Sequence, residues 1–118
     1  MHTENNYIQQ LTESLKELNP YLVLLFGSYA YGTPHEDSDI DLLVVTNDNF
    51  IPKNFAEKNK IHLTVSRKIR SINEKIAIDL LVYTVPMYKK FLELNSSFAR
   101  EIIQKGKILY ETHYTTMA

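Results

Sequence analysis

Apolar positions Ile8, Leu11, Leu15 and Leu18 recur at helical spacing, which predicts a first helix over roughly residues 4–18, with Thr3 as its N-cap and Asn19-Pro20 as its stop. The run from Tyr21 to Phe26 is apolar without a break and closes on Gly27, the pattern of a short strand buried on both faces. Residues 29–38 carry Gly32, Pro34 and the polar string His35-Glu36-Asp37-Ser38, which predict a loop or a short helical turn. Ile40 to Thr46 repeats the buried-strand pattern, and residues 47–52 connect it to a segment over residues 54–70 with apolar residues at mixed spacing. That segment reads as mostly helical, although Thr64, Val65 and Ser66 suit an extended chain equally well.

Ile76 to Thr84 predicts a third strand, and Pro86 suits the first turn of a helix through Met87, Tyr88, Phe91 and Leu92. A last helix over residues 96–105 takes Ser96 or Ser97 as its cap and Gly106 as a left-handed stop, and Lys107 to Glu111 resembles a closing edge strand. The order α-β-β-α-β-α-α-β implies an α+β or α/β sheet with helices packed on it. With 118 residues, one domain over positions 1–118 is expected.

Composition narrows the chemistry. The 23% charged and 44% hydrophobic residues are ordinary for a folded protein. A formal net charge of -1 gives no reason to expect direct nucleic-acid binding, so any phosphate ligand must be held locally, by a loop or a metal. Having no cysteine excludes disulfides, thiolate metal sites and cysteine nucleophiles. The N-terminus lacks the pattern of a signal peptide and no apolar run approaches a bilayer span of roughly 20 residues, so a cytoplasmic protein without membrane contact is expected.

The stretch from Phe26 to Val45 carries the chemistry. On a strand, residues two apart share a face, so Asp39 and Asp41 present two carboxylates side by side. Like charges held together beside an apolar run call for cations, and hard divalent ions such as Mg²⁺ prefer oxygen ligands. Asp79 interrupts Ile76-Ala77-Ile78 and Leu80-Leu81-Val82, which read as core, where an unpaired carboxylate is rarely tolerated. If the second and third strands are neighbours, Asp79 completes a cage for two ions about 3.5–4 Å apart, the spacing that clamps attacking and leaving oxygens in phosphoryl chemistry. Gly27-Ser28, directly after a buried strand, allows the backbone to turn sharply and aim N–H groups and a hydroxyl at an anion.

Other readings are weaker. Asp37, Asp39 and Asp41 alternate as in a calcium loop, but Leu42 stands where that loop needs glycine and Asp48 where it needs a bidentate glutamate. Gly27 and Gly32 have P-loop spacing, but Thr33-Pro34 replaces the Lys-Ser/Thr pair. Asp79 has the alternative of pairing with a buried lysine or arginine. The four histidines lack metal-ligand spacing, and His35 alone is a candidate ligand contact. Tyr29 and Tyr31, beside the turn, are candidates to stack on a base or cover a ligand.

Gly27-Ser28, ten residues and then Asp39-Ile40-Asp41, with Asp79 on a later strand, resemble the signature of the nucleotidyltransferase superfamily that shares the DNA polymerase beta catalytic fold. The Ser38-Asp39-Ile40-Asp41-Leu42 string and the closing Gly106 to Glu111 resemble its minimal nucleotidyltransferase (MNT) branch, commonly an antitoxin encoded beside a HEPN toxin. The resemblance implies an α+β polymerase-beta-like fold with a mixed central sheet. It implies Asp39, Asp41 and Asp79 as catalytic and metal-binding residues for two Mg²⁺ ions, and Gly27, Ser28 and Ser38 as nucleotide-binding residues for ATP. It further implies AMP transfer to a tyrosine of a HEPN ribonuclease partner. The alternatives are a small-molecule transferase of the aminoglycoside type and an inactive antitoxin acting by binding alone. Family members often carry arginine where this chain has Tyr31, and a lysine such as Lys53 is a candidate to replace that charge. Larger relatives add a domain to grip the acceptor, so here the acceptor surface is expected on another molecule.

Overall fold

Two buried strands fix the architecture. β1 (Leu22–Phe26) is buried at every position and β2 (Ile40–Val45) at all but Asp41, so each needs a helical layer on both sides. A computed structural model of the chain describes residues 3–34 and 38–112, with side chains from Asn6 onward. It holds a four-stranded mixed sheet in the order β3-β2-β1-β4. β1 runs antiparallel to β2 and to β4 (Lys107–Glu111), whereas β3 (Ile78–Tyr83) runs parallel to β2.

Strand alternation sorts the side chains into two cores. Val23, Leu25, Ile40, Leu42 and Val44 meet Leu11 and Leu15 of α1 (Thr3–Lys16) on one face. Val65 of α3 (Phe55–Lys68) and Ile72 of α4 (Arg70–Asn73) join them there, while the short α2 (Ser28–Tyr31) follows β1. Leu22, Leu24, Phe26, Leu43 and Val45 line the other face and meet Tyr88 and Phe91 of α5 (Val85–Leu94) and Ile102 of α6 (Ser97–Lys105). Asp39, Asp41 and Asp79 share the parity of Leu43, Val45 and Leu81, and so belong to the α5–α6 side.

The ambiguous stretch at residues 54–70 is helical because its start is well capped. Asn54 accepts the backbone N–H of Glu57 at 2.9 Å and Glu57 accepts that of Lys53 at 2.7 Å, a reciprocal arrangement that outweighs the β-branched residues at 64 and 65. Thr84 caps α5 in a capping box with Met87, and Pro86 sits in the first turn as expected. Three expectations need correction. α1 ends at Lys16 and not at 18, because Asn19 adopts a left-handed conformation (φ 54) before Pro20 and turns the chain out. β3 starts at Ile78 and not at 76, because the N–H groups of Lys75 and Ile76 both bond back to the Ile72 carbonyl.

Gly106 is not a left-handed stop either, since its φ of -72 and ψ of 164 are extended. Glycine is required there by crowding, because a Cβ would lie 2.4 Å from the Ile102 carbonyl oxygen and 2.7 Å from Leu24 Cδ2. Gly106→Ala should therefore push α6 off β1 and destabilise the fold by about 1–3 kcal/mol, read as a lower midpoint in urea with an unchanged slope. No helix among the described residues is long and apolar enough to cross a membrane.

Candidate active site

The parallel register of β2 and β3 sets Asp79 directly beside Asp41, which in turn lies opposite Phe26, the last residue of β1. Asp39 precedes β2 by one residue and lies on the same side as Asp41 by alternation. All three acids thus collect at one end of the sheet, on the face that α5 and α6 cover. The premise that Asp79 interrupts a buried strand does not hold. β3 is an edge strand, Asp79 is exposed, and no lysine or arginine among the described residues pairs with it.

Asp41 carries the strain of the cluster. Burial pushes its carboxyl up to about 6, and the charges of Asp79 and Asp39, together with a hydrogen bond to Asp79, push in the same direction. Among the described residues no three His, Asp or Glu side chains form a closed metal cage. That open geometry fits Mg²⁺, which is commonly held by one or two carboxylates plus substrate phosphates and water. Asp41 and Asp79 would hold such an ion, with Asp39 supplying a further charge.

Gly27 explains how the turn meets the acids. Its φ of 77 lies in the region that disfavours other residues, and a Cβ there would sit 2.0 Å from Asp41 Oδ2. The missing side chain is what allows the backbone to lie flat against the carboxylate. Past it, the Gly27 carbonyl accepts the N–H groups of Ala30 and Tyr31, both at 3.0 Å, which folds α2. Ser28 Oγ has no hydrogen-bond partner among the described residues and opens α2 beside Asp41. Ser38 is placed by its backbone: its carbonyl accepts the Tyr29 hydroxyl at 3.5 Å, linking the turn to the lead into Asp39. His35 lies outside the described residues.

Residues 9–115 match the family model described as polymerase beta, nucleotidyltransferase. The chain belongs to this nucleotidyltransferase family. It is 30% identical over 88 residues, 75% of this chain and 76% of the other, to the Methanocaldococcus jannaschii protein named "Putative protein adenylyltransferase MJ0604". It is 41% identical over 58 residues to the Shewanella oneidensis protein adenylyltransferase MntA, covering 47% of this chain and 40% of MntA. Its fold matches a solved toxin-antitoxin structure with AMP-PNP at a TM-score of 0.53 and 26% identity, covering 95% of this chain and 77% of that one.

Two residues of this nucleotidyltransferase escape sequence reasoning. Tyr31 donates its hydroxyl to Glu101 Oε2 at 2.9 Å, and Lys105 Nζ stands 5.7 Å from the centre of the Tyr31 ring. The phenol is raised above its ordinary value, first by burial and then by the hydrogen bond to Glu101, with the charge of Asp41 contributing. Tyr31 is therefore bound to α6 rather than open to stack on a base. Lys53, the expected cation, leads into α3 on the opposite face of the sheet. The i, i+4 spacing of Glu101 and Lys105 shows that they share a helix face, but nothing in the sequence says that the face meets a turn 70 positions earlier.

Proposed function

We propose that this chain transfers AMP from ATP to a hydroxyl of a partner protein, and that it acts as the antitoxin that silences a HEPN-type ribonuclease by modifying a tyrosine. The observation that carries the reading is the pair Asp41 and Asp79 in register, with Gly27 shaved to fit against Asp41. The names of the two adenylyltransferase relatives and the toxin-antitoxin setting of the solved structure support a protein acceptor.

In the reaction, the acceptor oxygen attacks the α-phosphorus, the bond to the bridging oxygen of the β-phosphate breaks, and pyrophosphate leaves in line. Gly27 and Ser28 hold the departing phosphates, Asp39, Asp41 and Asp79 would hold the metal that ties the nucleotide to the site, and Asp79 also takes the proton that the acceptor loses. Bound Mg²⁺ would supply neutralisation of the charge on the phosphoryl oxygens. Apart from that proton transfer, what the chain contributes is positioning and electrostatics.

Mass spectrometry of the toxin encoded beside this protein, after incubation with the two proteins, ATP and Mg²⁺, should show an added AMP on a tyrosine. An unmodified toxin that is nonetheless silenced would establish occlusion in place of transfer.

A further inference from the structure

The acids at the end of the sheet leave a problem of charge. Asp39, Asp41 and Asp79 are all negative, and the polyphosphate tail of ATP adds more negative charge along the Gly27-Ser28 turn. Cations bound at the carboxylates would offset part of this charge. A positive side chain on the other side of the turn would offset more of it.

The strand order says where that side is. The carboxylates stand on β2 and β3, β1 delivers the turn, and β4 lies beyond it. Crossing from β2 to β4 is two strand spacings, roughly 10 Å. α6 ends on that far side, because Gly106 packs on Leu24 and the Leu25 carbonyl, and Lys107 pairs with Leu25. Its last residue, Lys105, reaches over Tyr31, whose N–H bonds to the Gly27 carbonyl at 3.0 Å.

Lys105 is exposed and forms no ion pair among the described residues. Its ammonium rests on a ring face, a weak contact at an exposed site. A hydrogen bond from an ammonium to a phosphate oxygen is among the stronger ones a side chain makes. The flexible four-carbon stem lets Nζ leave the ring for the phosphate without disturbing the backbone. Glu101, meanwhile, holds the Tyr31 hydroxyl and so fixes the platform from which Lys105 works.

We infer that Lys105 is the residue that receives the β- and γ-phosphates of ATP, with Tyr31 and Glu101 as positioning residues that hold its stem over the turn. This rests on the ATP-dependent reading above. The competing account is that Lys105 only complements the C-terminal end of the α6 dipole, in which case it affects folding and nothing else.

Equilibrium binding of ATP and of AMP, each with Mg²⁺, to the wild type, Lys105→Ala and Lys105→Arg separates these accounts. Lys105→Ala should weaken ATP about tenfold and leave AMP unchanged, as expected for one charge-assisted contact to the tail. Lys105→Arg should retain ATP within about threefold, since the charge is kept. Tyr31→Arg in the Lys105→Ala background should recover most of the ATP affinity, because it returns a cation to the same spot. In turnover, Lys105→Ala should raise KM for ATP and leave kcat nearly intact. Unchanged ATP affinity in Lys105→Ala, or equal losses for ATP and AMP, overturns the assignment. A wild-type protein that binds neither nucleotide overturns the ATP reading itself.

Discussion

Asp41→Asn should cut transfer of label from α-labelled ATP by about 10³-fold or more, and at the same time make the metal-free protein harder to unfold at neutral pH. The loss follows from removing the best-placed of the three charges, in a site where catalysis is electrostatic. The gain follows from the raised carboxyl. With a folded value of about 6 against an ordinary 3.8, Asp41 binds its proton more tightly in the fold than in the unfolded chain. Whatever stability the protonated carboxyl lends is fully present below pH 3.8 and is lost as pH rises to about 6 and beyond. Asparagine keeps the neutral shape and escapes that loss. Because the group is only partly buried, screening by solvent reduces the effect to about 1 kcal/mol at pH 7. That is roughly 4 °C in Tm for a domain of this size.

Thermal melts at several pH values check the sign. Above pH 6 the variant should melt higher, and below about pH 4 the two proteins should coincide, a window set by the ordinary and shifted values of this one group. Adding Mg²⁺ and ATP should raise the Tm of the wild type and leave the variant where it was, since a ligand stabilises only the form that binds it. A variant no more stable than the wild type at pH 7 would mean that Asp41 is not under repulsion in the free protein.

The strands were legible because they are buried on both faces: a run such as Leu22 to Phe26 permits little else. Pairing of β2 with β3 was legible only as a condition, since the alternation that places Asp79 on a face does not name the neighbouring strand. The register is decided by packing, through Leu42 beside Leu80 and Val44 beside Val82 on one face and Leu43 beside Leu81 on the other. The burial of Asp79 was misread for the same reason. An edge strand and a central strand can share an apolar pattern when helices cover the edge strand's inner residues. Gly106 shows a different limit, because a glycine that ends a helix in sequence can be there for a close approach and not for its φ. The link from Tyr31 to Glu101 and Lys105 was out of reach altogether, since it depends on how far α6 travels across β1 before the chain turns into β4.

Gly27→Ala and Gly32→Ala should behave differently although the two glycines have nearly the same backbone. Their φ values are 77 and 82, so alanine meets a similar penalty at each, on the order of 1 kcal/mol. At Gly32 there is nothing within 4 Å of the added methyl, so the cost ends there. At Gly27 the methyl would meet Asp41 Oδ2 at 2.0 Å and Asp41 Cγ at 2.9 Å. Either the turn backs away from β2 or the carboxylate swings off the site, and both separate the backbone proposed to hold phosphate from the acid it is built against. Gly27→Ala should therefore lose about 10²-fold or more in label transfer, the scale expected when reacting groups shift by about 1 Å. Gly32→Ala should stay within a few-fold of the wild type at saturating ATP, with the smaller fall in Tm, from backbone strain alone. Measuring both variants for Tm and for transfer separates the strain that they share from the contact that only Gly27 makes. If the two lose activity equally, the close approach of Gly27 to Asp41 is not what holds the site together.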